Sequence, residues 1–251
     1  MKDENGAFAK AIAAAQKSGV ELVVVHGGGP QIDAALKAAE ISSKFVGGFR
    51  VTTPEVFDVV ERVLAQEVGP VVAKSLQSEG VNAIAMSGRT SGTLIAEPLR
   101  KLVDGSDADL GLVGIVNSVD TSAITSAIYA GQVPIVSPIA SNESGTCGLN
   151  VNADLAAAAI AGALDAESLI IMTDVAGIYR SWPDASSLIS HITYEELNSL
   201  KSTFAEGMAP KVQACLDAIK AGATAVRIID GTNPSAFADA LAHSGGTLVV
   251  A

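Results

Sequence analysis

Three groups of residues in this chain have types and spacings that could do chemistry. The first is His26-Gly27-Gly28-Gly29-Pro30, which follows the run Glu21-Leu22-Val23-Val24-Val25 and leads into helically spaced residues 31–39. A β-branched strand, a glycine turn and a helix aim backbone N–H groups and a helix N-terminus at an anion. Glycines also let a ligand come close to the main chain. A tight turn with no ligand would use the same residues, and so would the oxyanion hole of a carbonyl hydrolase. The hydrolase needs a Gly-x-Ser-x-Gly elbow, and Ser87-Gly88-Arg89-Thr90-Ser91-Gly92 and Ser144-Gly145-Thr146-Cys147-Gly148 have the wrong spacing for one. No Gly-x-x-x-x-Gly-Lys-Ser/Thr phosphate loop occurs either.

The second group is Gly47-Gly48-Phe49-Arg50, a glycine loop that offers a guanidinium to an anion. Its planar fork matches a carboxylate, although a solvated arginine looks the same in sequence. The third is Asn150-Val151-Asn152-Ala153-Asp154, ahead of the alanine-rich helix 155–163. A helix cap needs one such residue. Three at alternating spacing suit a site that positions a charged substrate, with capping as the plainer alternative. Further on, Asp174-Val175-Ala176-Gly177-Ile178-Tyr179 follows the strand 167–173. That places it in the crevice where open α/β sheets bind ligands.

The elements that must hold these groups are legible in outline. Of the 251 residues, 49% are hydrophobic, with few aromatics, as suits a parallel sheet covered by alanine-rich helices. The pattern predicts helices at 7–18, 31–39, 54–79, 121–130 and 155–163, one begun by residues 191–197, and one led by residues 207–212 and running to 221. It predicts strands at 21–25, 81–86, 133–139, 167–173, 225–229 and 245–250, with 93–103 and 110–118 as an antiparallel hairpin flap at an edge. Thr193 and Glu196 make a capping box. A chain that opens on a helix leading into a parallel strand implies either a capping helix or a strand ahead of it.

The net charge of −11 argues against nucleic-acid and anionic-membrane partners. Cys147 and Cys215 lack metal-ligand spacing and read as reduced thiols. With no apolar run near ~18 residues and no signal-peptide pattern, the expectation is a soluble, cytoplasmic protein.

Together with Gly207-Met208-Ala209-Pro210-Lys211-Val212, the motifs stand in an order that resembles the amino acid kinase superfamily, and within it the acetylglutamate kinases of arginine synthesis. The resemblance implies a three-layer α/β/α sandwich with a mainly parallel central sheet. Residues 1–165 would form an acyl-amino-acid-binding and dimerisation lobe, and 166–251 an ATP-binding lobe. It implies ATP-dependent phosphorylation of the γ-carboxylate of N-acetyl-L-glutamate. Gly28 and Gly29 would offer N–H groups to the phosphoryl and to substrate, and Arg50 and Asn150 would hold acetylglutamate. Asp154 would orient lysines around the phosphates, and Lys211 would neutralise the phosphoryl in flight. Asp174, Val175, Ala176, Gly177, Ile178 and Tyr179, with Thr203, Phe204, Ala205 and Lys211, would line the nucleotide site. Mg²⁺ would bridge the phosphates without protein metal ligands, and the protein would be a homodimer or higher homo-oligomer.

Some positions depart from the family pattern. Its first strand carries Lys-x-Gly-Gly, and Met1 falls just beyond that point, with Lys2 and Lys10 in the wrong context to replace the lysine. The expectation is a truncated or misassigned start, with residues 23–25 short of one neighbour and turnover lowered by ~10²–10³-fold or abolished. Asp239 lies near the place matching a C-terminal glutamate of arginine-inhibited members, which leaves an L-arginine effector open. Other functions consistent with the motifs are an acetylaminoadipate kinase of lysine synthesis and a non-catalytic ligand-binding or regulatory homologue.

Overall fold

A computed structural model of the chain describes residues 6–102, 105–204 and 208–251. Helix α1 (Ala7–Lys17) leads into β1 (Val24–Val25), and the glycine turn opens α2 (Gly29–Ala38). A short hairpin, β2 (Phe45–Val46) and β3 (Phe49–Arg50), precedes α3 (Pro54–Glu61). Then come α4 (Gly69–Ser78), β4 (Ala83–Ser87), β5 (Leu94–Pro98), β6 (Val113–Val119), α5 (Ser122–Tyr129) and β7 (Val133–Ser137). Strands β8 (Ile139–Ser141) and β9 (Gly148–Val151) lead to α6 (Ala153–Ala163) and β10 (Ser168–Thr173). The chain ends with β11 (His191–Thr193), α7 (Tyr194–Leu200), α8 (Ala209–Lys220), β12 (Ala225–Asp230), α9 (Ala236–Leu241) and β13 (Thr247–Val250).

The central layer is a sheet in two pieces. One has the order β1-β7-β4 and is wholly parallel. The other has the order β10-β12-β13-β11, with β12 and β13 antiparallel and the remaining pairs parallel. Helices cover both faces. Ile12 of α1, Leu76 of α4 and Phe237 of α9 pack on one side with Ile135 and Ile229. On the other side Ile124 of α5 and Ile160 of α6 meet Val136, while Cys215 and Leu216 of α8 meet Ile171 and Ile228. The successive residues Ile228 and Ile229 thus face opposite layers, as strand alternation requires. The expected three-layer α/β/α arrangement is present.

Several local expectations are corrected. The helix expected over 54–79 is interrupted by a π-helical turn, Arg62–Val68. Pro70 has no N–H and its ring would clash with the carbonyl four residues back, so the backbone widens ahead of it. Residues 45–50 form a two-residue β-hairpin, with Gly47 and Gly48 at φ of 56° and 83°, the positive values that a type I′ turn demands. The expected edge flap of β5 and β6 pairs antiparallel but closes into a four-stranded barrel with β8 and β9. Buried Ile139, Ala140, Leu149 and Val151 give it the apolar cover that an isolated hairpin lacks. The strand expected over 133–139 divides at Pro138 into β7 and β8.

Candidate active site

The glycine corner is held from behind. A Cβ on Gly28 would lie 2.6 Å from Leu64 Cδ2, so any larger residue there would push the Leu64 side chain aside where α2 starts against the π-helical turn. A Cβ on Gly29 would meet nothing within 4 Å, so its outer side is open. His26 is buried, with Nε2 3.1 Å from Ser137 Oγ and Nδ1 2.9 Å from the Gly27 carbonyl oxygen. Burial pulls its imidazole pKa below the ordinary value, opposed by the bond to Gly27. Neither α2 nor α8 has a side-chain cap at its N-terminus.

Lys211 stands in the first turn of α8, where its charge adds to the positive end of the helix dipole and is unfavourable without an anion. Its Nζ donates to Asp154 Oδ2 at 2.9 Å, and each of the two side chains keeps about a fifth of its surface exposed. Asp154 lies in the first turn of α6, capped by Asn152, whose Oδ1 accepts from the N–H groups of Asp154 and Leu155 at 2.9 and 3.2 Å. Gly28, Gly29, Asp154 and Lys211, residues 57 or more positions apart except for the glycines, line one cavity of about 1830 Å³. Its rim therefore carries backbone donors, an ammonium and the uncapped start of α2, an arrangement suited to phosphate.

Arg50 lies on β3 with its guanidinium 2.8 Å from Asp33, 3.2 Å from Ser43 Oγ and 4.5 Å above the Phe45 ring. Both of these polar contacts fall on the same terminal nitrogen, which leaves the second nitrogen and Nε, among the described residues, to face a carboxylate fork. Asn150 Nδ2 donates to Thr52 Oγ1 at 3.1 Å, and Thr52 Oγ1 donates to the Arg50 carbonyl at 2.8 Å. Arg50 and Asn150, 100 residues apart, thus meet through Thr52. The three polar residues of the Asn150–Asp154 motif divide the work: one joins Arg50, one caps α6 and one pairs with Lys211. Sequence reasoning missed Asp33, Thr52 and Ser137. Asp33 lies in the helix expected over 31–39 and Thr52 just past the Gly47–Arg50 loop, but nothing local marks a residue whose partner comes from another element.

Of the residues expected at the nucleotide, Lys211 lines that cavity, whereas Asp174 to Tyr179, Thr203 and Phe204 do not. Asp174, just past β10, accepts from Thr173 Oγ1 at 3.1 Å, and its side chain is exposed. Val175 and Ala176 are half-buried. A Cβ on Gly177 would lie 2.4 Å from Thr247 Oγ1, and the Ile178 N–H donates to the same oxygen at 2.8 Å. Tyr179 meets Trp182 edge-on at 5.0 Å. The Thr203 hydroxyl donates to the Leu200 carbonyl, and Phe204 packs partly against the core formed by α8 and β12. Ala205 lies outside the described residues.

The amino acid kinase family model matches residues 1–230. The chain belongs to the amino acid kinase family. Within that family it is similar to acetylglutamate kinases. That of Bifidobacterium animalis subsp. lactis is 44% identical over 240 residues, covering 95% of this chain and 79% of the relative. That of Paenarthrobacter aurescens is 47% identical over 241 residues, with 92% and 76% covered. Among solved structures, a Streptococcus mutans protein has a TM-score of 0.81 at 27% identity, with 96% of this chain and 91% of that chain covered. Carbamate kinase from Giardia lamblia bound to AMP-PNP has a TM-score of 0.72 at 22% identity, with 98% and 89% covered, which shows the shared amino acid kinase fold. Among the described residues no helix is long and apolar enough to cross a membrane.

Proposed function

We propose that this chain phosphorylates the γ-carboxylate of N-acetyl-L-glutamate with ATP, the first lobe holding the acyl amino acid and the second the nucleotide. In this reaction a γ-carboxylate oxygen forms a bond to the terminal phosphorus of ATP. The bond from that phosphorus to the bridging oxygen breaks, leaving ADP and an acyl phosphate. Such a transfer needs positioning and charge neutralisation more than covalent participation. The observation that carries the reading is the convergence of Gly28, Gly29 and Lys211 on one cavity, beside the linked pair Arg50 and Asn150.

Arg50 is fitted to the substrate's α-carboxylate, since Asp33, Ser43 and the Phe45 ring already fix the plane of its guanidinium. Asn150 keeps its carbonyl oxygen for an amide or amino donor on the same ligand, its nitrogen being spent on Thr52. Gly28 and Gly29 present main-chain donors to the phosphoryl, and Asp154 holds Lys211 toward it. Mg²⁺ carried on the nucleotide phosphates would supply charge neutralisation there, with Lys211 as the cation that this chain adds. No group of three metal-ligating side chains stands among the described residues.

Asp174 to Tyr179 and Thr203 to Phe204 would hold the nucleotide away from the transferring phosphoryl, in keeping with their position outside the cavity's lining. The test is a hydroxamate assay for acyl phosphate with acetylglutamate and acetylaminoadipate in parallel. Acetylglutamate-dependent acyl phosphate is the expected result. A preference for acetylaminoadipate, or nucleotide binding with no acyl phosphate from either acid, overturns the proposal.

A further inference from the structure

The segment between β10 and β11 carries an aromatic surface that the core does not use. β10 is parallel to β12, β12 antiparallel to β13, and β13 parallel to β11, so β11 runs opposite to β10. Residues 174–190 therefore leave and re-enter the sheet at the same end. Tyr179 and Leu188 bridge across this segment, and the Ile189 N–H donates to the Ile178 carbonyl at 2.8 Å, which makes residues 179–188 a short arm. Near its tip Trp182 keeps 65% of its surface exposed, and Leu188 at its base is exposed as well.

The arm is wired to hold that indole in place. The Arg180 N–H donates to the Ser187 carbonyl at 3.0 Å, and the Asp184 N–H to the Ser181 carbonyl at 2.8 Å. The Ser181 N–H donates to Ser187 Oγ at 3.1 Å, and the Ser186 N–H to Asp184 Oδ1 at 2.9 Å. Tyr179 meets the indole edge-on at 5.0 Å, which covers at most one of its faces. A lone exposed apolar side chain needs no explanation. A tryptophan fixed by its own loop with its area still in water is preorganised for a flat partner.

The same end of the sheet holds the charge that phosphates need. Cys215 and Leu216 pack α8 against Ile228 of β12, and a short turn, 221–224, joins the two elements. α8 therefore runs back along β12, and its uncapped N-terminus with Lys211 stands at the C-terminal end of β10 and β12. Cation and aromatic arm rise from one crest. From these features we infer that Trp182 stacks its indole face on the base of ATP, with Tyr179 setting the indole's plane. The triphosphate then runs from the arm to Lys211 and the start of α8. Trp182 lies beyond the stretch 174–179 expected at the nucleotide, so sequence motifs did not mark it. The inference rests on the ATP-binding part of the kinase reading and adds the contact that selects the base. A stack reads ring area rather than hydrogen-bond pattern, so it favours purines over pyrimidines and separates adenine from guanine little.

The test uses the full chain with ATP, UTP and inorganic tripolyphosphate as probes. The sequence holds 1 tryptophan, so its emission reports this site alone. ATP should quench that emission and tripolyphosphate should not. In calorimetry Trp182→Ala should weaken ATP about tenfold, the size of one base–aromatic stack, and leave tripolyphosphate within about twofold. UTP should lose less than ATP, and Trp182→Phe should recover most of the ATP loss. ATP binding with unchanged emission, or with equal affinity in Trp182→Ala, overturns the inference and leaves the kinase reading standing. An equal loss for ATP and tripolyphosphate also overturns it, because the arm would then act on the phosphate site or the fold. Quenching and selective loss without acyl phosphate uphold the base contact and remove the kinase reading. No ATP binding by the unsubstituted chain removes both.

Discussion

Lys211→Ala is the sharpest perturbation of the proposed chemistry. Its Nζ lies 2.9 Å from Asp154 Oδ2, and with side chains 20% and 21% exposed the pair is neither a surface ion pair nor a sealed one. Breaking a fully buried pair costs about 3–5 kcal/mol, and an exposed one about 0–1 kcal/mol. Screening at this partial exposure places the stability loss between those limits, about 1–3 kcal/mol. Catalysis loses something different. Removing one preorganised donor to a developing charge costs about 2.7–4 kcal/mol, or 10²–10³ in kcat. Nucleotide affinity should move less than about tenfold, because the glycine donors remain. Steady-state kinetics, nucleotide calorimetry and urea unfolding separate these quantities. In Lys211→Met with Asp154→Asn, stability should recover, since no charge is left unpaired, while kcat stays low. Near-normal turnover in Lys211→Ala would refute the reasoning, and so would recovery of kcat together with stability in the double variant.

The other expectations concern the glycine corner, Arg50 and His26. Gly29→Ala places a methyl in open space and should leave stability unchanged or raised by up to about 1 kcal/mol while kcat falls, as read by thermal unfolding and turnover on one preparation. Gly28→Ala drives a methyl into Leu64 Cδ2 and should cost about 1–3 kcal/mol. Arg50→Lys keeps the charge but loses the fork, so KM for acetylglutamate should rise about 10–100-fold with a smaller change in kcat. For His26, burial lowers the folded-state pKa below the ordinary 6.5, so the unfolded chain binds more protons as pH falls. Stability should therefore drop as pH decreases through about 6.5 and below, and urea midpoints in His26→Gln should lack that component.

Local chemistry made part of this molecule legible in sequence and tertiary pairing hid the rest. Thr193 and Glu196 form the expected capping box because both partners lie within one helical turn. The β-branched runs of β7, β10 and β12 fall where alternation and glycine punctuation place them. The barrel was not legible, because β8 is three residues long and closure depends on β5 pairing with β8 and β6 with β9, strands far apart in sequence. The π-helical turn was readable in principle from Pro70, but helical periodicity continues through it and conceals the widening. At the site, residue type announced Gly28, Gly29 and Arg50. The bonds from Asn150 to Thr52 and from Arg50 to Asp33 depend on how the hairpin folds over the barrel and α2, which no local pattern encodes.

The glycine corner also explains why so many buried polar atoms gather behind it. Neutral His26 donates from Nδ1 to the Gly27 carbonyl and needs a donor at Nε2, which the Ser137 hydroxyl supplies. The Leu64 carbonyl, 3.1 Å from Ser137 Oγ, is then served by the N–H of Gly69 across the π-helical turn. If His26 is protonated, both ring nitrogens donate, and the hydroxyl turns to Leu64 instead. Every group is satisfied in either state, so the pH penalty at His26 is set by desolvation rather than by a lost bond. The π-helical turn therefore has two roles: it carries Leu64 against Gly28 and supplies the carbonyl that completes the chain of bonds. An ordinary helix at that point would direct the Leu64 carbonyl to residue 68 and re-aim its side chain. The glycine donors would then lose the packing that points them at the cavity.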